Sequence, residues 1–137
     1  GAYIAVTGQF AVLPLIFSFI VFTWVSGFDI IYSLQDEEFD KSQGLKSLPV
    51  LLGKRGAFWL SNLLHIITAA LIIFASTIAP FHIAYEIGAA IFILLLLVQH
   101  LLVSPTKLQR VNLAFATTNG VASVLFAVFV VWDLLRN

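Results

Sequence analysis

The distribution of charge along the chain constrains its fold more than any other feature. Four runs contain no Asp, Glu, Lys or Arg: Gly1–Phe28, Gly56–Tyr85, Ile87–Thr106 and Val111–Trp132, of 28, 30, 20 and 22 residues. A helix that crosses a bilayer needs about 20 largely apolar residues. Only 10% of the 137 residues are charged and mean hydropathy is +1.03. A soluble domain carries roughly 25% charged residues to cover its surface. The expected fold is therefore all-α and integral to a membrane, with four transmembrane helices and one polar loop.

Proline sets the expected bounds of these spans. The first ten residues read as a lead-in loop, and the first span as about 11–32, with Pro14 in its first turn, where a missing N–H does little harm. The second span, about 57–79, is stopped by Pro80; the third, about 83–103, by Ser104-Pro105; the fourth is about 111–132. The polar loop is about 35–55. Short links make neighbouring helices antiparallel. Six of the seven basic residues, Lys41, Lys46, Lys54, Arg55, Lys107 and Arg110, then fall on one side, which becomes the cytoplasmic side. Phe81, Tyr85 and Trp132 fall at the opposite ends of their spans as interface aromatics.

Other counts exclude whole classes. Without cysteine there is no disulfide, thiolate metal site or thiol nucleophile. Net charge is zero and no basic cluster exceeds Lys54–Arg55, so nucleic acid is not an expected partner. The absence of methionine permits the reading that the sequence is cut from a longer one.

Chemistry is expected in the polar loop. Five of the seven acidic residues lie between Asp29 and Asp40. On a continuous helix Asp29, Tyr32, Asp36 and Asp40 fall within an arc of about 80°. The expectation is that the first span runs on past the membrane boundary as one acidic stripe until Gly44 breaks it. Aligned carboxylates repel each other. One reading is that Asp36 and Asp40 bind a divalent cation, since magnesium takes only one or two protein carboxylates and fills its shell with water and phosphate oxygens. The other is a solvated acidic helix end neutralised by Lys41 and Lys46. Lys46 and Ser47, just beyond the break, suit phosphate oxygens; they equally suit a membrane anchor and a turn.

These residues resemble a known family. The stretch GFDIIYSLQDEEFDKSQGLKSLPVLLGKRGA, residues 27 to 57, is similar to the second aspartate-rich motif of the UbiA superfamily of intramembrane aromatic prenyltransferases. Asp29, Tyr32, Asp36, Asp40, Gly44, Leu45, Lys46, Ser47 and Gly53 meet its pattern. Ala5-Val6-Thr7-Gly8 resembles the loop before that family's sixth span, and residues 111–120, VNLAFATTNG, its ninth. The nearest branch is the 4-hydroxybenzoate polyprenyltransferase type, which includes menaquinone enzymes of the futalosine route. The resemblance covers essentially all of residues 1–137. It implies a C-terminal fragment, helices six to nine of a nine-helix bundle, whose partner is the missing N-terminal half with the other aspartate motif.

The resemblance also implies a reaction: Mg2+-dependent transfer of a polyprenyl group from polyprenyl diphosphate to an aromatic acceptor in ubiquinone or menaquinone biosynthesis, with the fragment inactive alone. Asp36 and Asp40 would hold magnesium, Lys46 and Ser47 would meet the diphosphate, and the Tyr32 ring would face the allylic cation. Tyr32 reads equally as an interfacial aromatic. Asp29 is a candidate for lining a wet cavity. So are Asn112 and Asn119, which share a face with Ala116 and Ser123, although small polar faces more often pack helices together. Ala84 and Gly88 read as packing, and His65 and His100 as separate packing residues. A small four-span transporter or channel subunit, or a structural membrane protein with an acidic cytoplasmic loop, is the alternative.

Overall fold

The computed structural model describes residues 1–103, 111 and 119–136. Among them, all regular structure is helical: α1 (Ala2–Thr7), α2 (Val12–Ser33), α3 (Glu37–Ser42), α4 (Leu48–Ile78), α5 (Ile83–Leu102) and α6 (Gly120–Leu135). Three of these, α2, α4 and α5, are long and apolar enough to cross a membrane. They turn large apolar side chains such as Phe22, Ile66 and Leu94 outward, as lipid contact requires. The described part of the fourth expected span is the 16-residue apolar helix α6.

Residues expected to form loops are partly helical. The lead-in makes the short helix α1, ended at Gly8, whose φ of 67° is open to glycine. Within 35–55 lie α3 and the start of α4. Ser47 is extended and Pro49 sits in the first turn of α4, so helix begins at Leu48. It continues past Gly53, where φ 71° and ψ 162° put a kink that other residues do not tolerate. Pro80 stops α4 as its position implies.

α2 and α4 pack through a polar seam. Thr23 and Thr68 hydroxyls lie 2.7 Å apart. The Nε2–H of His65 donates to the Trp24 carbonyl at 3.1 Å, and the Ser61 hydroxyl donates to the Gly27 carbonyl at 2.6 Å. The pairing runs up one helix and down the other, so the two are antiparallel. Gly27 makes the approach possible: a Cβ there would stand 2.6 Å from the His65 ring. Lipid tails are as apolar as leucine, so association rests on such close packing and hydrogen bonds.

The same seam reaches α5. His65 Nδ1 and His100 Nε2 are 2.7 Å apart. A carbonyl only accepts, so His65 carries its proton on Nε2. With both rings neutral, His100 Nε2 donates to His65 Nδ1. The two histidines expected to be separate are thus one bonded pair, joined because α4 and α5 are neighbours. The apolar core lies below, where Ile20, Ile72, Phe92 and Phe126 bring four helices together.

Two polar contacts fix the other end. Tyr85, expected as an interface aromatic, is fully buried, and its hydroxyl donates to the Ile72 carbonyl at 2.8 Å. Asp133 of α6 is buried and accepts from the backbone N–H groups of His82 and Tyr85 at 2.8 and 3.2 Å, capping α5 from another helix. Gly88 lets α6 in: a Cβ there would lie 2.5 Å from that of Phe129.

Two outcomes are expected from thermal unfolding in detergent followed by tryptophan fluorescence. Gly27→Ala forces its methyl into an imidazole held at both nitrogens and costs about 1–3 kcal/mol. Asp133→Ala leaves the start of α5 without its acceptor and costs about 1–3 kcal/mol, whereas Asp133→Asn keeps most of the stability.

Candidate functional site

The acidic residues do not lie on one continuous helix. α2 ends at Ser33, whose hydroxyl turns back to the Ile30 carbonyl at 2.8 Å. The next three amides bond three residues back: Leu34 to Ile31, Gln35 to Tyr32 and Asp36 to Ser33, at 3.3, 3.2 and 3.2 Å. This tightened turn breaks the stripe expected from periodicity. On either side of this turn the chain lies against α4: Leu34 is fully buried beside Ile30 and Ala57, and Glu37 is 5% exposed, with Lys54 of α4 3.5 Å from its carboxylate.

Asp29 and Tyr32 therefore stay on α2, while Asp36 and Asp40 belong to α3. Asp36 is the N-cap residue, and its carbonyl accepts from the Asp40 amide at 2.8 Å, so the two carboxylates stand one turn apart. Asp29, Tyr32 and Asp36 are exposed and Asp40 is half-exposed. Tyr32 lies near Phe28, ring centroids 6.4 Å apart. α3 ends as Gly44 implies: with φ 67°, it lets Leu45 N–H reach the Asp40 carbonyl at 2.9 Å and Gly44 N–H the Lys41 carbonyl at 3.2 Å. Lys46 follows, exposed, and then Ser47, whose hydroxyl is enclosed without a partner. Asn119 precedes α6 with an enclosed, unpartnered Oδ1. Asn112 lies outside the described residues.

Two cations near this site, Lys41 and Lys54, are committed to other carboxylates. Lys41 bonds Glu37 on its own helix, and Lys54 of α4 lies 3.5 Å from the other Glu37 oxygen and 3.8 Å from Glu38. Lys41, not a residue of the stripe, is the first cause of a Glu37 carboxyl held below its ordinary range; Lys54 adds to it against the opposing effect of burial. At the acidic helix end, Lys41 neutralises Glu37 rather than Asp36 or Asp40, and among the described residues Lys46 makes no ion pair. Among the described residues, no ion pair involves Asp36 or Asp40. No group of three or more Asp, Glu, His or Cys side chains there is placed to hold a metal. Asp36 and Asp40 present hard, accessible oxygens outside any ion pair among the described residues, a chemistry that suits a cation taking one or two protein carboxylates.

Glu37 and Lys54 are the residues that the sequence reading missed. A signal was present, because a Glu four residues before a Lys is the favoured helical ion-pair order. Only contact with α4 reveals that this Glu is buried.

Membrane-crossing helices with an exposed acidic turn at one end describe an integral membrane protein with a polar site at its boundary. The UbiA prenyltransferase family pattern matches residues 1–129, and the chain belongs to that family. It is 25% identical to a 4-hydroxybenzoate octaprenyltransferase of Francisella tularensis subsp. tularensis (strain WY96-3418) over 136 residues, 99% of this chain and 47% of the relative. It is 26% identical to the protein of that name from subsp. novicida (strain U112) over 130 residues, 95% of this chain and 45% of the relative. The chain spans about half the length of the curated relatives it matches. No solved structure matches it.

Glu37 makes the site's stability depend on pH. A carboxyl with a lowered folded-state pKa stabilises above its ordinary value of 4.5 and loses that contribution as pH falls through the lower folded value. Hydrogen exchange of the α3 amides, corrected for intrinsic rates, is expected to accelerate on acidification below pH 4.5. Glu37→Gln should remove the greater part of that dependence.

Proposed function

We propose that the chain forms part of a membrane prenyltransferase that moves a polyprenyl group from its diphosphate to an aromatic acceptor of the 4-hydroxybenzoate kind, in ubiquinone or menaquinone biosynthesis. The observation that carries the reading is the family match across residues 1–129. The unpaired carboxylates of Asp36 and Asp40, at the position where the resemblance puts metal ligands, support it. In this reading the four spans are helices six to nine of the bundle. The α3 end faces the cytoplasm of a bacterial cell, on the side of the Lys and Arg residues.

Asp36 and Asp40 would hold the metal, proposed as Mg2+. When bound, magnesium supplies charge neutralisation for a diphosphate leaving group and a template that orients it. Lys46 places a cation two residues beyond Gly44, suited to diphosphate oxygens as their charge grows. The unspent Ser47 hydroxyl is a further donor. Tyr32, on α2 across the tight turn, brings an electron-rich ring to the membrane side, where an allylic cation would be stabilised by its face. Asp29 and the start of α6, with Asn119, would line the polar side of the cavity, as would Asn112.

The relatives are about twice as long as this chain. The proposed activity belongs to a unit of that length, to which these residues contribute one metal-binding half. In such a unit, Asp36→Asn or Asp40→Asn is expected to lower Mg2+-dependent prenyl transfer by about 100-fold or more, with helicity by circular dichroism unchanged. Undiminished transfer would overturn the assignment. The 137-residue chain alone is expected to give no prenylated product from octaprenyl diphosphate and 4-hydroxybenzoate.

A further inference from the structure

We infer that Glu37 is a positioning residue for the proposed metal ligands: it keeps the ammonium groups of Lys41 and Lys54 off Asp36 and Asp40, leaving that pair a charge of −2 for a divalent cation. The inference rests on the reading of Asp36 and Asp40 as metal ligands.

Four carboxylates, Asp36, Glu37, Glu38 and Asp40, lie in or at the start of α3, which also carries Lys41 and packs against α4, which carries Lys54. Which carboxylates the lysines choose decides what remains. A lysine has a flexible stem and a compact charge, and it can reach several acidic neighbours. An ion pair with an exposed carboxylate is weak, because water screens it. One with an enclosed carboxylate is screened less. The side chain of Glu37 is 6% exposed and that of Glu38 is 91% exposed. Asp36 is open to solvent and Asp40 half open. Glu37 is thus the preferred partner, and it takes both lysines, one on each oxygen.

The charge balance follows. Glu37 and Glu38 together cancel Lys41 and Lys54. Among the described residues Asp36 and Asp40 are then left with −2, equal and opposite to one divalent cation. Lys46 and Arg55 are exposed, and among the described residues neither makes an ion pair with the four carboxylates. Removing the Glu37 charge releases two ammonium groups beside the aspartates, where they compete with a metal. Removing the lysines as well abolishes that competition without restoring the brace between α3 and α4. Charge and brace can therefore be told apart.

The test measures Mn2+ binding to the 137-residue chain in lipid nanodiscs by electron paramagnetic resonance, Mn2+ sharing magnesium's octahedral oxygen preference. The wild-type chain is expected to bind, and Asp36→Asn combined with Asp40→Asn to lose binding. Glu37→Gln should bind about two- to fivefold more weakly, and adding Lys41→Gln and Lys54→Gln to it should raise the affinity to the wild-type value or above it, because Glu38 is then left without a lysine. Equal affinity of Glu37→Gln and wild type overturns the inference. So does a triple variant as weak as Glu37→Gln, which would make Glu37 a brace only. Absence of wild-type binding, or binding indifferent to the two Asp→Asn changes, overturns the metal reading itself and the inference with it; the wild-type and double-Asn arms identify that case.

Discussion

The seam between α2 and α4 carries the rest of the structure. In a bilayer, two apolar helices gain little by leaving lipid for each other, so their pairing needs specific contacts. Thr23 with Thr68, His65 with Trp24, and Ser61 with Gly27 supply them, and Gly27 lets the backbones approach. One of these contacts extends to α5 through His100. The seam runs toward the end where α2 stops and α4 starts. It therefore sets where α3 can lie.

The site depends on that placement. Leu34 and Glu37 both lie against α4, one on each side of the tight turn after α2. The tight turn separates Tyr32 from the aspartates but leaves Asp36 and Asp40 a turn apart. Lys54, six residues after the N-terminus of α4, comes within reach of Glu37 only because the helices pack this way. The charges of Lys41 and Lys54 are then gathered on one enclosed carboxylate.

Much of the fold was legible in sequence. Charge-free runs of 20 residues or more have few alternatives to a membrane helix, and Pro80 and Gly44 stop helices for reasons local to themselves. The UbiA-like spacing singled out residues 29–47 as the candidate site. Other features were not legible. Periodicity treated residues 29–40 as one helix, because the burial of Leu34 is a contact with a residue more than twenty positions away. Glu37 looked like any other loop carboxylate. Asp133 gave no sign of capping α5, because its partners are His82 and Tyr85, about fifty positions earlier. Tyr85 resembled an interfacial aromatic until Ile72 supplied a carbonyl for its hydroxyl.

The sequence by itself determined the class of environment, the helices long enough to cross a membrane, and the segment where charge and hydroxyl groups concentrate. These follow from transfer energies and backbone preferences, which act residue by residue. Tertiary structure alone decided which polar groups are already spent on one another and which remain free. His65 is tied to His100, Asp133 to α5, and Glu37 to Lys41 and Lys54, while among the described residues Asp36 and Asp40 make no ion pair. Partner choice depends on distance and screening between helices, and the order of residues along the chain does not encode either one directly.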